Sequence, residues 1–235
     1  LNKLKIEICI NAQRFAFLGG HDNTNDRSGH QHCSKEREPN MINGTENRKT
    51  NHPIDELFLN RWSPRAMTGE AISQAELLTL FEAARWAPSS YNYQPWRFLY
   101  AHRNTKHWQT FFNLLVEFNQ SWAHNAAVLV VFIARTHFDF NGEPAPTHSF
   151  DTGAAWENLA LQGSLKGLVV HGMQGFDYER ARAELNVPEG FQVEAMCAIG
   201  RPADPETLSE GLLVKETPSE RRKLEETICE GPFCF

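Results

Sequence analysis

The chain lacks an apolar run long enough to cross a bilayer. About 18 residues are needed, and the longest run, Ala126–Ala134, has the length of a buried strand. It also lacks an excess of positive charge. The net charge is −6, and the most basic local run, Arg221-Arg222-Lys223, is too short to make a polyanion surface. Membrane and nucleic acid are therefore not expected partners. Lys3 and Lys5 precede no uninterrupted apolar core, because Glu7 and Arg14 break it, so secretion is not expected. The five cysteines are odd in number and irregularly spaced. That pattern argues against a disulfide framework and for reduced thiols in a cytoplasmic protein. Three nucleotide and nucleophile signatures are missing as well. No G-x-G-x-x-G follows a strand, no Walker lysine loop is present, and Gly163-Ser164 does not sit in G-x-S-x-G.

What remains is ordinary globular material. The 235 residues are 41% hydrophobic and 22% charged, enough for one well-packed domain. Residues 19–51 are polar and without periodicity, which predicts disorder. Residues 1–50 are accordingly read as a disordered N-terminal extension. The first methionine is Met41, so residues 1–40 are expected either to be absent from the native protein or to form a genuine disordered arm. His21, His30, His32 and Cys33 lack the paired spacing of a zinc module, and no metal site is expected.

Local signals place the elements. Ser73-Gln-Ala-Glu76 is a capping box, followed by Leu77, Leu78, Phe81 and Ala84 at helical spacing and stopped by Pro88. Arg97–Ala101 reads as a strand, Lys106–Asn119 as one amphipathic helix, and Ala126–Ala134 as a central buried strand. His137–Ser149 carries Gly and two prolines and reads as a loop. Phe150–Lys166 reads as a buried helix capped by Gly167, and Tyr178–Asn186 as a short helix. Val193, Ala195, Cys197 and Ile199 alternate as in a strand. Strands and helices do not alternate regularly, which favours an α+β sandwich over a doubly wound fold. The tail Glu225–Phe235 is suited to wrapping onto another subunit.

Three segments carry candidate chemistry. Arg61-Trp-Ser63-Pro-Arg65 puts two guanidiniums and a hydroxyl at alternate positions. Pro64 disfavours helix at Ser63, so the three share a face of an extended segment and suit a phosphate or a planar acceptor edge. A solvated turn before a helix is the alternative. Pro88–Trp96 (PSSYNYQPW) offers hydroxyls and side-chain amides, both donors and acceptors, as the pyrimidine edge of a flavin requires. It also reads as a plain Asn/Ser turn. His171-Gly-Met-Gln174-Gly175-Phe176 can bring main-chain amides close to a ligand, or simply turn.

Taken in order, Arg61-x-Ser63-x-Arg65, Ala84–Phe98, Asp151–Gly163, Gly172–Phe176 and Ala198–Asp204 resemble the FMN nitroreductase family over roughly Ile54 to the C-terminus. The resemblance implies that residues 51–235 form an FMN-binding domain, with helices around a small central, mostly antiparallel sheet. It implies a homodimer with C-terminal tail exchange and FMN at the subunit interface. Arg61, Ser63 and Arg65 would hold the phosphate, ribityl chain and pyrimidine edge. Pro88, Ser89, Ser90, Asn92 and Gln94 would line the flavin, partly from the partner subunit. Gln174 and Gly175 would offer main-chain amides near N5 and O4. Arg221 matches a phosphate-binding residue, although Lys223 replaces a common proline, which keeps Arg222 in contention; Arg201 is a further candidate. No protein nucleophile is implied. NADH or NADPH would reduce the flavin, which would then reduce a nitroaromatic, quinone or enone, and Arg65 would stabilise the charge of reduced FMN. Two alternatives are a specialised relative such as a reductive dehalogenase and a non-catalytic flavin-binding protein.

Overall fold

The computed structural model describes residues 43–235. The histidine-rich stretch around Cys33 lies outside them, as does most of the segment read as an extension. Residues 43–50 do not follow the expectation of disorder. They form a short helix, α1 (Gly44–Asn47), capped by Asn43. Arg48 just beyond it is 9% exposed. Polar composition hid this segment because what anchors it is one long side chain reaching distant carbonyls.

Among the described residues, the sheet has four antiparallel strands in the order β1-β2-β4-β3. They are β1 (Trp96–His102), β2 (Val128–Arg135), β3 (Val169–Met173) and β4 (Phe191–Gly200). β2 explains the arrangement. Its residues are apolar on both faces, as a central strand covered on both sides requires. Val128, Val130 and Phe132 join one buried cluster, and Leu129, Val131 and Ile133 join the other. Helices α3 (Gln74–Arg85) and α6 (His148–Leu165) supply the first face through Leu77, Leu80, Ala155 and Leu159. Helices α4 (Trp108–Leu114), α5 (Glu117–Ala123) and α7 (Tyr178–Glu184) supply the second through Phe111, Leu114, Trp122 and Ala181. The short helices α2 (Glu56–Asn60) and α8 (Glu210–Leu213) flank the site described below.

The capping box at Ser73 and Glu76 is formed in both directions, and Gly167 takes the left-handed conformation after α6 at φ +66°. Three expectations need correcting. The single helix over 106–119 is two, because Leu115 forms a bridge with Phe176 and the Val116 amide donates to the Gly175 carbonyl at 3.0 Å. β3 was not evident, being five residues long and interrupted by Gly172. Finally, Cys229 and Cys234 form a disulfide; the turn at Gly231, φ +96°, brings them together.

Candidate functional site

The Arg61–Arg65 segment leaves α2 in extended conformation, with Arg61 at φ −69°, ψ 113°. Two buried groups hold it. Arg48 donates from Nη1 to the carbonyls of Leu59 (2.8 Å) and Arg61 (2.9 Å), and from Nε to Ser219 (3.1 Å). Burial, with the nearby charges of Arg221 and Arg61, lowers the Arg48 pKa. From the other side, Glu216, 2% exposed, accepts the main-chain amides of Arg65 (2.5 Å) and Ala66 (2.9 Å) on Oε1.

A cavity of about 250 Å³ opens beside this segment. Arg48, Arg61, Ser63, Arg65, Lys215 and Arg221 line it, with His171 and Gly172 from β3. Its acidic neighbours are few: Glu157 lies 3.5 Å from Arg61 Nε, and Glu216 lies 3.6 Å from Arg65 Nη1. Burial raises the Glu157 pKa, opposed by Arg61 and Arg221. Arg65 Nε is buried with no hydrogen-bond partner among the described residues. Five cations around a small space, one with an unused donor, suit a multiply charged anion such as a phosphate.

His171 borders the cavity as a neutral ring. Its Nδ1 donates to the Pro64 carbonyl at 2.9 Å, and its ring packs on Trp122 with centroids 4.4 Å apart. Burial pushes its pKa down to about 4, against the opposing effect of the Pro64 bond and reinforced by Arg65. It therefore adds a dipole to the pocket and no charge at neutral pH.

The second cavity, about 380 Å³, meets the first at Gly172. Its lining is mainly apolar, including Phe132, Gly153, Trp156, Met173 and Ala195, with Gln174 and Glu194 at its polar edge. Gly172 is required there, since a Cβ would stand 2.9 Å from the Trp156 ring. A cationic end and an apolar end joined through a glycine accommodate an elongated ligand with a charged head and a flat body.

The predicted residues divide between places. Arg61, Ser63, Arg65 and Arg221 converge on the cationic cavity, and Gln174 on the apolar one. Arg222 instead faces a neighbouring groove with Lys223, whose lining shares Arg48 and Arg221 with the cationic cavity. Gly175 lines neither cavity; its carbonyl accepts from Asn119 Nδ2 at 3.0 Å. Arg201 is engaged by Glu76 at 2.8 Å and Glu70 at 3.8 Å. Pro88, Ser89, Ser90, Asn92 and Gln94 also line neither cavity. They form a loop in which Tyr91, Asn92 and Gln94 all have φ between +52° and +54°, costly for residues with a Cβ and concentrated at functional loops in general. Ser89 Oγ accepts the Gln94 amide at 3.0 Å, and the Ser90 amide donates to buried Asp151 at 3.1 Å. Arg48, Lys215 and Glu216 were not anticipated; their partners lie far off in sequence, and no local pattern marks them.

Residues 59–201 match the model of the nitroreductase family. A solved oxidoreductase containing FMN is 46% identical, with a TM-score of 0.78, over 82% of this chain and 99% of that one. A protein of Desulfovibrio desulfuricans described as a nitroreductase in complex with FMN is 25% identical, with a TM-score of 0.61, over 79% and 100%. An uncharacterized 15.4 kDa protein of Mycolicibacterium smegmatis is 33% identical over 121 residues, which are 50% of this chain and 78% of that protein.

Proposed function

The chain belongs to the nitroreductase family, and from that membership we propose that it is an FMN-dependent oxidoreductase using NADH or NADPH to reduce a small organic acceptor of the nitroaromatic, quinone or enone type. One observation carries this reading: a cationic cavity and an apolar one lie side by side and share Gly172 in their linings. The residues present fit FMN. Arg61, Arg221 and the neighbouring cations suit a phosphate-bearing chain, the unused Arg65 Nε leaves a donor for a further acceptor on the ligand, and the apolar cavity suits a planar ring. When bound, FMN would supply the two-electron chemistry, taking a hydride at N5 from the nicotinamide and passing it to the acceptor.

The chain's own residues do the rest. Arg61 and Arg221 hold the phosphate, with Arg48 fixing the segment from behind. Arg65, at the end of that segment, places a guanidinium where negative charge develops on the ring. Its attraction is stronger in the reduced state than in the oxidised one, and that difference favours electron acceptance. Gln174 and the mainly apolar wall orient the ring and exclude water.

A homodimer with exchanged C-terminal tails belongs to the same proposal. The loop Ser89–Gln94 does not line its own chain's cavities, and Trp86, Tyr91, Phe150 and Phe233 are 72–87% exposed. A symmetric partner would cover these rings and bring its loop to the flavin. Purified protein loaded with excess FMN should keep about one FMN per chain after desalting and sediment as a dimer. The flavin should bleach anaerobically with NADH or NADPH. Protein that retains no FMN contradicts the reading; a stable FMN-loaded monomer contradicts the dimer.

A further inference from the structure

We propose that Glu216 is a positioning residue whose charge limits how strongly Arg65 favours reduced over oxidised FMN; this rests on the FMN reading above. Glu216 is almost completely enclosed, at 2% exposure. Its two oxygens do different things. Oε1 accepts both adjacent amides, of Arg65 and Ala66, and so pins the end of the arginine segment. Oε2 is buried with no hydrogen-bond partner among the described residues, 3.6 Å from Arg65 Nη1. That separation is an ion pair without a hydrogen bond. The other contact of Nη1, to the Lys215 carbonyl, is long at 3.5 Å, and Nε has none. Arg65 is thus neutralised by a neighbour that barely holds it.

An anchor alone does not need this charge. A glutamine at 216 would offer the same two amides a carbonyl oxygen. A buried carboxylate with one unpaired oxygen is costly, so its distinguishing property here is the negative field it adds beside Arg65, which offsets that of the guanidinium at the ligand. Transfer of a hydride leaves the nicotinamide oxidised by two electrons and the flavin reduced by two electrons, with one proton, and carrying negative charge. Arg65 stabilises that charge, and Glu216, behind it, opposes it. The pair then sets the affinity ratio for the two redox states, while the other arginines set affinity for both.

The test measures the dissociation constants of oxidised and reduced FMN, with a redox titration of the bound flavin, in the parent, Glu216→Gln, Arg65→Gln and the double variant. Glu216→Gln should raise the reduced-to-oxidised affinity ratio about tenfold, equivalent to about 30 mV for a two-electron couple. Arg65→Gln should lower it by a similar factor, and the double variant should lie above Arg65→Gln. If Glu216→Gln changes both affinities by one factor, or lowers the ratio, Glu216 is only an anchor and the proposal is overturned. Should Glu216→Gln fail to fold, the double variant decides, because it buries no uncompensated charge. A ratio no higher than that of Arg65→Gln then overturns the proposal. A parent that binds neither form of FMN overturns the underlying reading instead.

Discussion

At the scale of single residues, the site depends on side chains whose charge is held by distant backbone. Arg61 is mostly enclosed and faces a cavity dominated by cations, with Glu157 as a partly buried partner. Replacing it with alanine should raise the dissociation constant of FMN roughly tenfold to a hundredfold, the loss of one charge-assisted contact of about 1.5–3 kcal/mol. Riboflavin, which lacks the phosphate, should bind the parent and Arg61→Ala alike. Fluorescence titration with both ligands checks this, and equal losses for both would move Arg61 away from the phosphate. His171 makes a prediction about acid. Burial sets its folded pKa at about 4 against an ordinary 6.5. Between those values the unfolded chain binds the extra proton, so acidification favours unfolding. The stability contributed by the neutral ring is complete above about pH 6.5 and is lost as pH falls toward 4. The loss should amount to about 2 kcal/mol, since the ring edge borders a cavity. His171→Asn, which can still donate to the Pro64 carbonyl, should lose less stability than the parent between pH 7 and pH 4.5 in urea denaturation. Equal losses in the two proteins would mean that other groups carry the acid sensitivity.

At the scale of elements, legibility followed the range of the interactions. The capping box of α3 was readable because Ser73 and Glu76 satisfy each other across three residues. β2 was readable because a strand covered on both faces is apolar along its buried length, here Val128 to Ala134. β3 was not, since five residues containing a glycine and a histidine carry no alternation, and only pairing with β4 makes them a strand. The break between α4 and α5 was hidden for a similar reason: Leu115 leaves helical conformation to meet Phe176. The arginine motif itself was legible, being local. The groups that hold it were not, because the Arg48 contact to Ser219 spans 171 residues and the Glu216 contact to Arg65 spans 151. Packing between α6 and β3 yields a further prediction. A Cβ at Gly163 would stand 2.4 Å from Val170 Cγ2, so Gly163→Ala overpacks the joint on which His171 and Gly172 depend. The expected cost is about 1–3 kcal/mol, visible as a lower Tm in the FMN-free protein. An unchanged Tm would show that Val170 yields freely.

At the scale of the whole molecule, the boundary of the folded unit can be tested directly. Residues 19–40 are almost wholly polar, whereas residues 1–18 carry several apolar side chains, and we propose that residues 1–40 are dispensable. A chain starting at Met41 should keep the FMN content and thermal stability of the full chain, whereas one starting at Asn51 loses α1 and Arg48 and should lose both. Equal behaviour of the two truncations would contradict the role given to Arg48. Among the described residues, no helix is long and apolar enough to cross a membrane. Among the described residues, the order β1-β2-β4-β3 leaves β3 at an edge, with His171, Gly172 and Met173 on the strand that has only β4 beside it. Edge amides open by local fraying more readily than those of the central β2. Deuterium should therefore enter β3 well before β2 in the empty protein, and the site should be among the first parts of the sheet to loosen. A ligand seated across both cavities would close that rim, so slowed exchange that includes residues 169–173 would report occupancy without any reaction being run.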